Sequence, residues 1–127
     1  MFQNPTITLG THIIIDLQLQ DNALLSHADV FEKAVMEVVE TVGIKVISTT
    51  FRQFDPVGVT GFLILSESHF AAHTWPQYNY VAMDLFLCGQ INIDHFFSCV
   101  KEVFCPTVMT VKTLLRVVPQ ENIEHGA

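Results

Sequence analysis

Val59-Thr60-Gly61-Phe62-Leu63-Ile64-Leu65, His69-Phe70-Ala71-Ala72-His73-Thr74-Trp75 and Tyr80-Val81-Ala82-Met83-Asp84-Leu85-Phe86-Leu87 are three runs split by short polar connections, and their reading decides the fold. The first run is apolar, short and partly β-branched, which predicts a buried strand. The middle run is ambiguous. Ala71-Ala72 favours a helix, whereas the strands on either side favour extended chain. Pro76 does too, since it pushes the preceding residue out of the helical region. Pro76-Gln77-Tyr78-Asn79 is turn-like, and Tyr80 to Leu87 alternates in part and predicts another strand. Extended segments joined by turns this short pair antiparallel, because a parallel crossover needs a dozen residues or more.

Upstream, Ile44 to Phe54 predicts a strand, closed by the turn signal Asp55-Pro56-Val57-Gly58. Before it lies a helix, with Ser26-x-x-Asp29 as a capping box. Its apolar stripe is Val30, Phe31, Ala34, Val35, Val38, Val39 and Val42, and Gly43 is the stop. The valines lower helix propensity, but packing of the stripe overrides that. Gln18 to Asn22 is a polar connection from a β-branched strand over residues 10–17, and residues 1–9 form a loose arm. Downstream, Asn92 caps a second helix with Ile93, Phe96, Phe97, Val100, Val103 and Phe104 on one stripe. Pro106 ends it, Thr107 to Val118 is β-rich, and the tail after Pro119 frays. The order β-α-β-β-β-β-α-β predicts one α+β domain over residues 1–127. It is a two-layer sandwich with a mostly antiparallel sheet and its helices on one face.

Half of the 127 residues are apolar and 15% are charged. That is more apolar surface than one small protomer hides, so an oligomer that buries a sheet face is expected. The net charge of −7 and the lack of any Lys/Arg cluster argue against a nucleic-acid partner. The acidic balance is compatible with a cationic substrate. Cys88, Cys99 and Cys105 are odd in number and form no CxxC motif, and Met1 to Pro5 show no signal pattern. Both point to a reducing, cytoplasmic setting with free thiols. The apolar runs fall far short of a membrane span.

A hydroxyl, two imidazoles and a thiol cluster between Ser68 and Cys88. On a helix, His69 and His73 would share one face and could bind a metal. On a strand they lie about 13 Å apart, at roughly 3.3 Å per residue, too far for one ion. With no further ligand cluster, no metal is expected. His12, His27, His95 and His125 read as surface or strand-end residues. Ser68 lacks the Gly-x-Ser-x-Gly elbow of a hydrolase. Packing alone accounts for Cys88, Cys99 and Cys105, and for Phe54 and Trp75 as core aromatics.

Taken together, four motifs resemble the short prokaryotic S-adenosylmethionine decarboxylase proenzymes. They are Gly58-Val59-Thr60-Gly61, Leu65-Ser66-Glu67-Ser68-His69, His73-Thr74-Trp75-Pro76 and Asp84-Leu85-Phe86-x-Cys88-Gly89. The likeness runs from about Gly10 to Phe104 and includes the Phe54-Asp55-Pro56 turn. It implies self-cleavage between Glu67 and Ser68 into a β chain, residues 1–67, and an α chain, residues 68–127. Ser68 becomes a covalent pyruvoyl group that condenses with the substrate amine and acts as the electron sink. The resemblance makes His73 the proton carrier of processing and Thr60 its assistant, where a serine is usual. It makes Cys88 the donor that returns a proton to Cα, Phe54 the adenine-stacking ring, and the protein a homodimer of αβ units packed sheet to sheet. Trp75 adds aromatic surface near the nucleoside.

The sequence departs from the family pattern around the nucleoside. Gln77 stands where a ribose-binding glutamate is usual, Gln18-Leu19-Gln20 replaces Tyr-Gly-Cys, and Asn79 replaces glycine. Relatives that decarboxylate L-ornithine or L-arginine with the same group are therefore an alternative to S-adenosylmethionine decarboxylation in polyamine (spermidine) synthesis. A non-catalytic regulatory homologue is a distant alternative, disfavoured by the intact Glu67-Ser68, His73 and Cys88.

Overall fold

A computed structural model describes residues 7–119. The loose arm expected over residues 1–9 is corrected at its end, because Ile7 to Leu9 extend β1 and Ile7 and Thr8 pair with β6. Residues 1–6 and the tail from Gln120 onward, His125 included, lie outside the described residues. The chain runs β1 (Ile7–Gln18), α1 (Ala28–Val42), β2 (Val46–Gln53), β3 (Val59–Leu65), β4 (Ser68–Trp75), a 3-10 turn (Pro76–Tyr78), β5 (Tyr80–Leu87), α2 (Ile93–Phe104) and β6 (Val108–Val118). The strands form one six-stranded sheet in the order β2-β3-β4-β5-β1-β6, and every neighbouring pair is antiparallel. The two helices pack on one face, so the molecule is an α+β two-layer sandwich, as expected.

The ambiguous run is a strand. Its alternation decides the matter: Phe70, Ala72 and Thr74 are buried towards the helices, while His69, Ala71, His73 and Trp75 look out on the open face. Thr74 is the one buried polar residue on this strand, and its hydroxyl is fully used. It accepts from the Val59 N–H at 2.9 Å and donates to the Leu25 carbonyl at 2.8 Å.

The core between the layers is built from Ile13, Ile15 and Leu17 of β1, the middle of β3 to β5, and the stripes of both helices. Gly61 belongs to this side. A Cβ there would meet the Phe51 ring at 2.3 Å, so the missing side chain is what lets Phe51 cross β3 and reach Phe31.

The capping box at Ser26 does not form. His27 is the N-cap and offers no side-chain bond, and the helix starts one residue later than that box requires. Gln53, at the end of β2, takes over. Its Oε1 accepts from the Ala28 N–H at 2.6 Å, and its Nε2 donates to the carbonyls of Ser26, Phe54 and Gly58 at 2.9 to 3.1 Å. One amide thus satisfies an orphan donor of α1 and pins the turn after β2 to the start of the helix. Asn92 caps α2 as expected, its Oδ1 accepting from the His95 N–H at 3.0 Å.

Candidate active site

Ser68 opens β4 after a two-residue turn, Ser66-Glu67, and stands opposite Leu65 of β3 and Leu87 of β5. Two-residue hairpins favour turns with positive φ at a central residue, because that twist matches the strands. Here positive φ outside glycine occurs, among the described residues, only at Asn79 and Cys105. The hairpin therefore departs from the favoured twist at its tip. The Glu67 carbonyl takes its hydrogen bond from the next strand instead, from the Cys88 N–H at 3.3 Å. Cys88 follows β5 as an exposed free thiol. Glu67 folds its carboxylate against Gly89, where a Cβ would lie 1.8 Å from Oε2. A cavity of about 330 Å³ opens here, lined by Lys45, Ser66, Glu67, Gly89 and Gln90 among others.

Thr60 and His73 face each other across β3 and β4, with Oγ1 3.1 Å from Nδ1. Trp75 is the next open-face residue, its ring 6.2 Å from His73 and 5.7 Å from Tyr80. Burial, and then the Asp16 carboxylate accepting from its hydroxyl, push the Tyr80 phenol above its ordinary pKa. Phe54 and the Pro76 turn meet over Gly58, and the Arg52 guanidinium carbon sits 5.5 Å from the Phe54 ring centre. Gln77 is exposed on that turn.

These residues do not all converge in one chain. Ser68 and Cys88 occupy one rim of the sheet, and Phe54, Trp75 and Gln77 the opposite rim. Ser68 and His73 are five residues apart on β4, roughly 16 Å at 3.3 Å per residue. Alternation sends their side chains to opposite faces.

Gln18, Gln20 and Asn79, three of the departures from the expected pattern, sit together. Gln18 Nε2 donates to the carbonyls of Tyr78 at 2.5 Å and Asn79 at 3.3 Å. Asn79 returns a bond to the Gln20 carbonyl at 3.3 Å. Asn79 is left-handed, with φ 54, a region asparagine tolerates better than other non-glycine residues. Gln18, Gln20 and Asn79 thus brace the Pro76 turn.

His12 is no ordinary surface residue. His12 Nε2 and His69 Nε2 both lie 2.9 Å from Asp84 Oδ2, on the open face. The sequence hid this trio because Asp84 reaches each histidine diagonally across a strand pair, and the β1–β5 register joins residues 72 positions apart. The one local signal was parity: His12, His69 and Asp84 all alternate onto the outward side of their strands.

A family model described as S-adenosylmethionine decarboxylase matches residues 11–117. An S-adenosylmethionine decarboxylase proenzyme of Acetivibrio thermocellus is 35% identical over 118 residues, covering 91% of this chain and 94% of the relative. One from Acidithiobacillus ferrooxidans is 40% identical over 98 residues, covering 76% and 74%. The crystal structure of the adenosylmethionine decarboxylase from Aquifex aeolicus superposes with a TM-score of 0.81 at 26% identity, covering 91% of this chain and 96% of that one.

Proposed function

The chain belongs to the S-adenosylmethionine decarboxylase family, and on that premise we propose that it is a self-processing, pyruvoyl-dependent S-adenosylmethionine decarboxylase serving polyamine synthesis. The relatives' names support this substrate over ornithine or arginine. Gln18 supports it too, because its amide is already engaged with the Pro76 turn rather than free to receive a small amino acid.

The observation that carries the reading is the bond from the Cys88 N–H to the Glu67 carbonyl. When Ser68 Oγ adds to that carbonyl carbon, negative charge grows on the oxygen, and a donor already aimed at it stabilises the change. Ser68 Oγ gives up its proton and forms the new C–O bond. The C–N bond then breaks, the Ser68 nitrogen gains a proton, and an ester joins Glu67 to Ser68. Loss of the Ser68 Cα proton expels the Glu67 carboxylate and frees residues 1–67 from residues 68–127. Hydrolysis of the remaining end releases ammonia and leaves the pyruvoyl.

The site suits that group. A pyruvoyl at residue 68 is no larger than serine, and Cys88, one residue past the Leu87 that pairs with position 68, carries a free, solvent-exposed thiol. The group supplies the sink for the electron pair left when carbon dioxide departs. Cys88 holds the proton that returns to Cα, a general-acid role open to a thiol. Phe54 and Trp75 offer aromatic surface to the adenine. Gln77 offers an amide to the ribose hydroxyls without a glutamate's charge.

Because His73 on β4 and Thr60 beside it on β3 stand far from Ser68 of the same chain, the functional unit is a homodimer of αβ units packed through the open sheet faces. The partner's His73 then serves Ser68. Phe62, Ile64 and Leu114, 42%, 48% and 50% exposed on that face, support its burial. The free thiols suit a cytoplasmic location, and no described helix is long and apolar enough to cross a membrane.

Parallel assays of the processed protein on S-adenosylmethionine, ornithine, arginine and lysine test the substrate. Carbon dioxide release from S-adenosylmethionine alone is expected; turnover of ornithine or arginine with none of S-adenosylmethionine would sink the reading.

A further inference from the structure

Cutting the Glu67–Ser68 bond creates a mechanical problem. Before the cut, the Ser66-Glu67 turn ties residue 68 to β3. Afterwards residue 68 is a chain end, and chain ends fray unless something holds them. Yet this is the residue whose position against Cys88 must be kept.

The residue next to it is held on the open face by two aromatic rings and a carboxylate. The His69 ring lies between Phe62 and Phe86, with centroids at 5.5 and 6.0 Å and ring planes within 17° and 21° of parallel. Its Nε2 is 2.9 Å from Asp84 Oδ2, which also receives His12 Nε2 at 2.9 Å. His12 Nδ1 faces Arg116 Nη1 at 3.5 Å. A guanidinium only donates, so that Nδ1 is the acceptor and the His12 proton sits on Nε2, pointing at Asp84. The three ligand atoms lie within 4.8 Å of one another, a spacing a metal could also use. With a proton on Nε2, His12 is a donor in a hydrogen-bonded set. The set joins both sides of the cut: His12 and Phe62 lie in residues 1–67, and His69, Asp84, Phe86 and Arg116 in residues 68–127.

We propose that His69, gripped by Asp84 and the Phe62 and Phe86 rings, is a positioning residue that holds the new chain end in register after cleavage. The proposal rests on the reading that the chain cuts itself at Glu67-Ser68. It makes the clamp matter more in the cut protein than in the uncut one, which an ordinary packing role would not do.

The test compares His69→Ala and the near-isosteric Asp84→Asn in two backgrounds. One is the fully processed protein, and the other the uncut Ser68→Ala chain. Backbone hydrogen exchange over residues 69–72 is read by mass spectrometry, with steady-state kinetics on the processed forms. In processed protein, both substitutions should speed exchange about tenfold or more. They should also lower kcat by roughly ten- to a hundredfold with KM little changed, as expected of a misplaced reacting group. In the uncut background, exchange should change about threefold or less, because the turn still ties the strand. Equal loss of protection in both backgrounds, or none in either, would overturn the proposal. So would a rise in melting temperature on adding zinc that Asp84→Asn abolishes, which would make the trio a metal site. Wild type that never cuts would instead fail the processing reading itself and remove the clamp with it. Wild type that cuts and turns over while both variants match it would fail the clamp alone.

Discussion

The roles proposed for Ser68, Cys88 and Gln77 are separable, and single substitutions should separate them. Ser68→Ala removes the only hydroxyl at the scissile bond, so the chain should stay full length on denaturing electrophoresis and be inactive. Wild type should give fragments of 67 and 60 residues, the second blocked to Edman sequencing. Cys88→Ala keeps the backbone N–H that bonds the Glu67 carbonyl. It should therefore still process, but turn over slowly and inactivate by misdirected protonation. Full activity would leave the exposed Cys88 thiol without a part in the reaction. Gln77→Glu restores a charge-assisted bond worth about 1.5–3 kcal/mol when nothing replaces it. Because glutamine replaces it in part, KM for S-adenosylmethionine should fall by about tenfold, the lower end of that range, with processing unchanged. An unchanged KM would show that Gln77 does not touch the ribose.

At the level of elements, two residues hold pieces together that their own segments leave loose. Gln53 stands in for the missing cap of α1 and fixes the turn that carries Phe54. Gln53→Ala should cost about 1 kcal/mol, in the range of a lost N-cap, and should also raise KM by freeing Phe54. Calorimetry and kinetics check the two effects independently, and a stability loss with unchanged KM would confine Gln53 to the helix end. Gly61 is the gap through which Phe51 reaches the core. Gly61→Ala should destabilise by roughly 1–3 kcal/mol through overpacking, and Phe51→Leu added to it should recover part of the loss. Without that recovery, the contact with Phe51 is not the cause.

The whole molecule raises the question of which chain completes which site. Ser68 and His73 share a strand but neither a face nor a rim. Co-expression therefore gives a direct test. Ser68→Ala chains, which retain His73, should rescue cleavage of His73→Ala chains, which retain Ser68, in mixed dimers. Each variant alone should stay uncut. If the mixture stays uncut while mixed dimers form, or if His73→Ala cuts by itself, His73 does not act across the interface. Covering the open face also predicts a dimer at micromolar concentration in sedimentation, and Ile64→Lys should weaken it, because a charge placed in a buried apolar face lacks a partner.

Local periodicity determined most elements of this protein, with the run that became β4 left open between helix and strand. The limits of β3 and β5 match the expected runs, and Asn92 caps α2 as its position predicts. Short polar connections also made the sheet antiparallel without any knowledge of contacts. The motif from Ser66 to His69, with His73 and Cys88 at fixed spacings, was visible as sequence because local order defines it. Tertiary structure decided what depends on register between distant strands. Gln53 caps a helix that starts 25 residues before it, and Asp84 gathers two histidines from different strands. The resemblance joined His73 to Ser68 in one reaction, yet a strand's rise and alternation hold them apart in one chain. The cause is the same in each case. Repeats of 2 and 3.6 residues are properties of the local chain, whereas pairing of distant segments is chosen by burial and hydrogen bonding summed over the whole sheet.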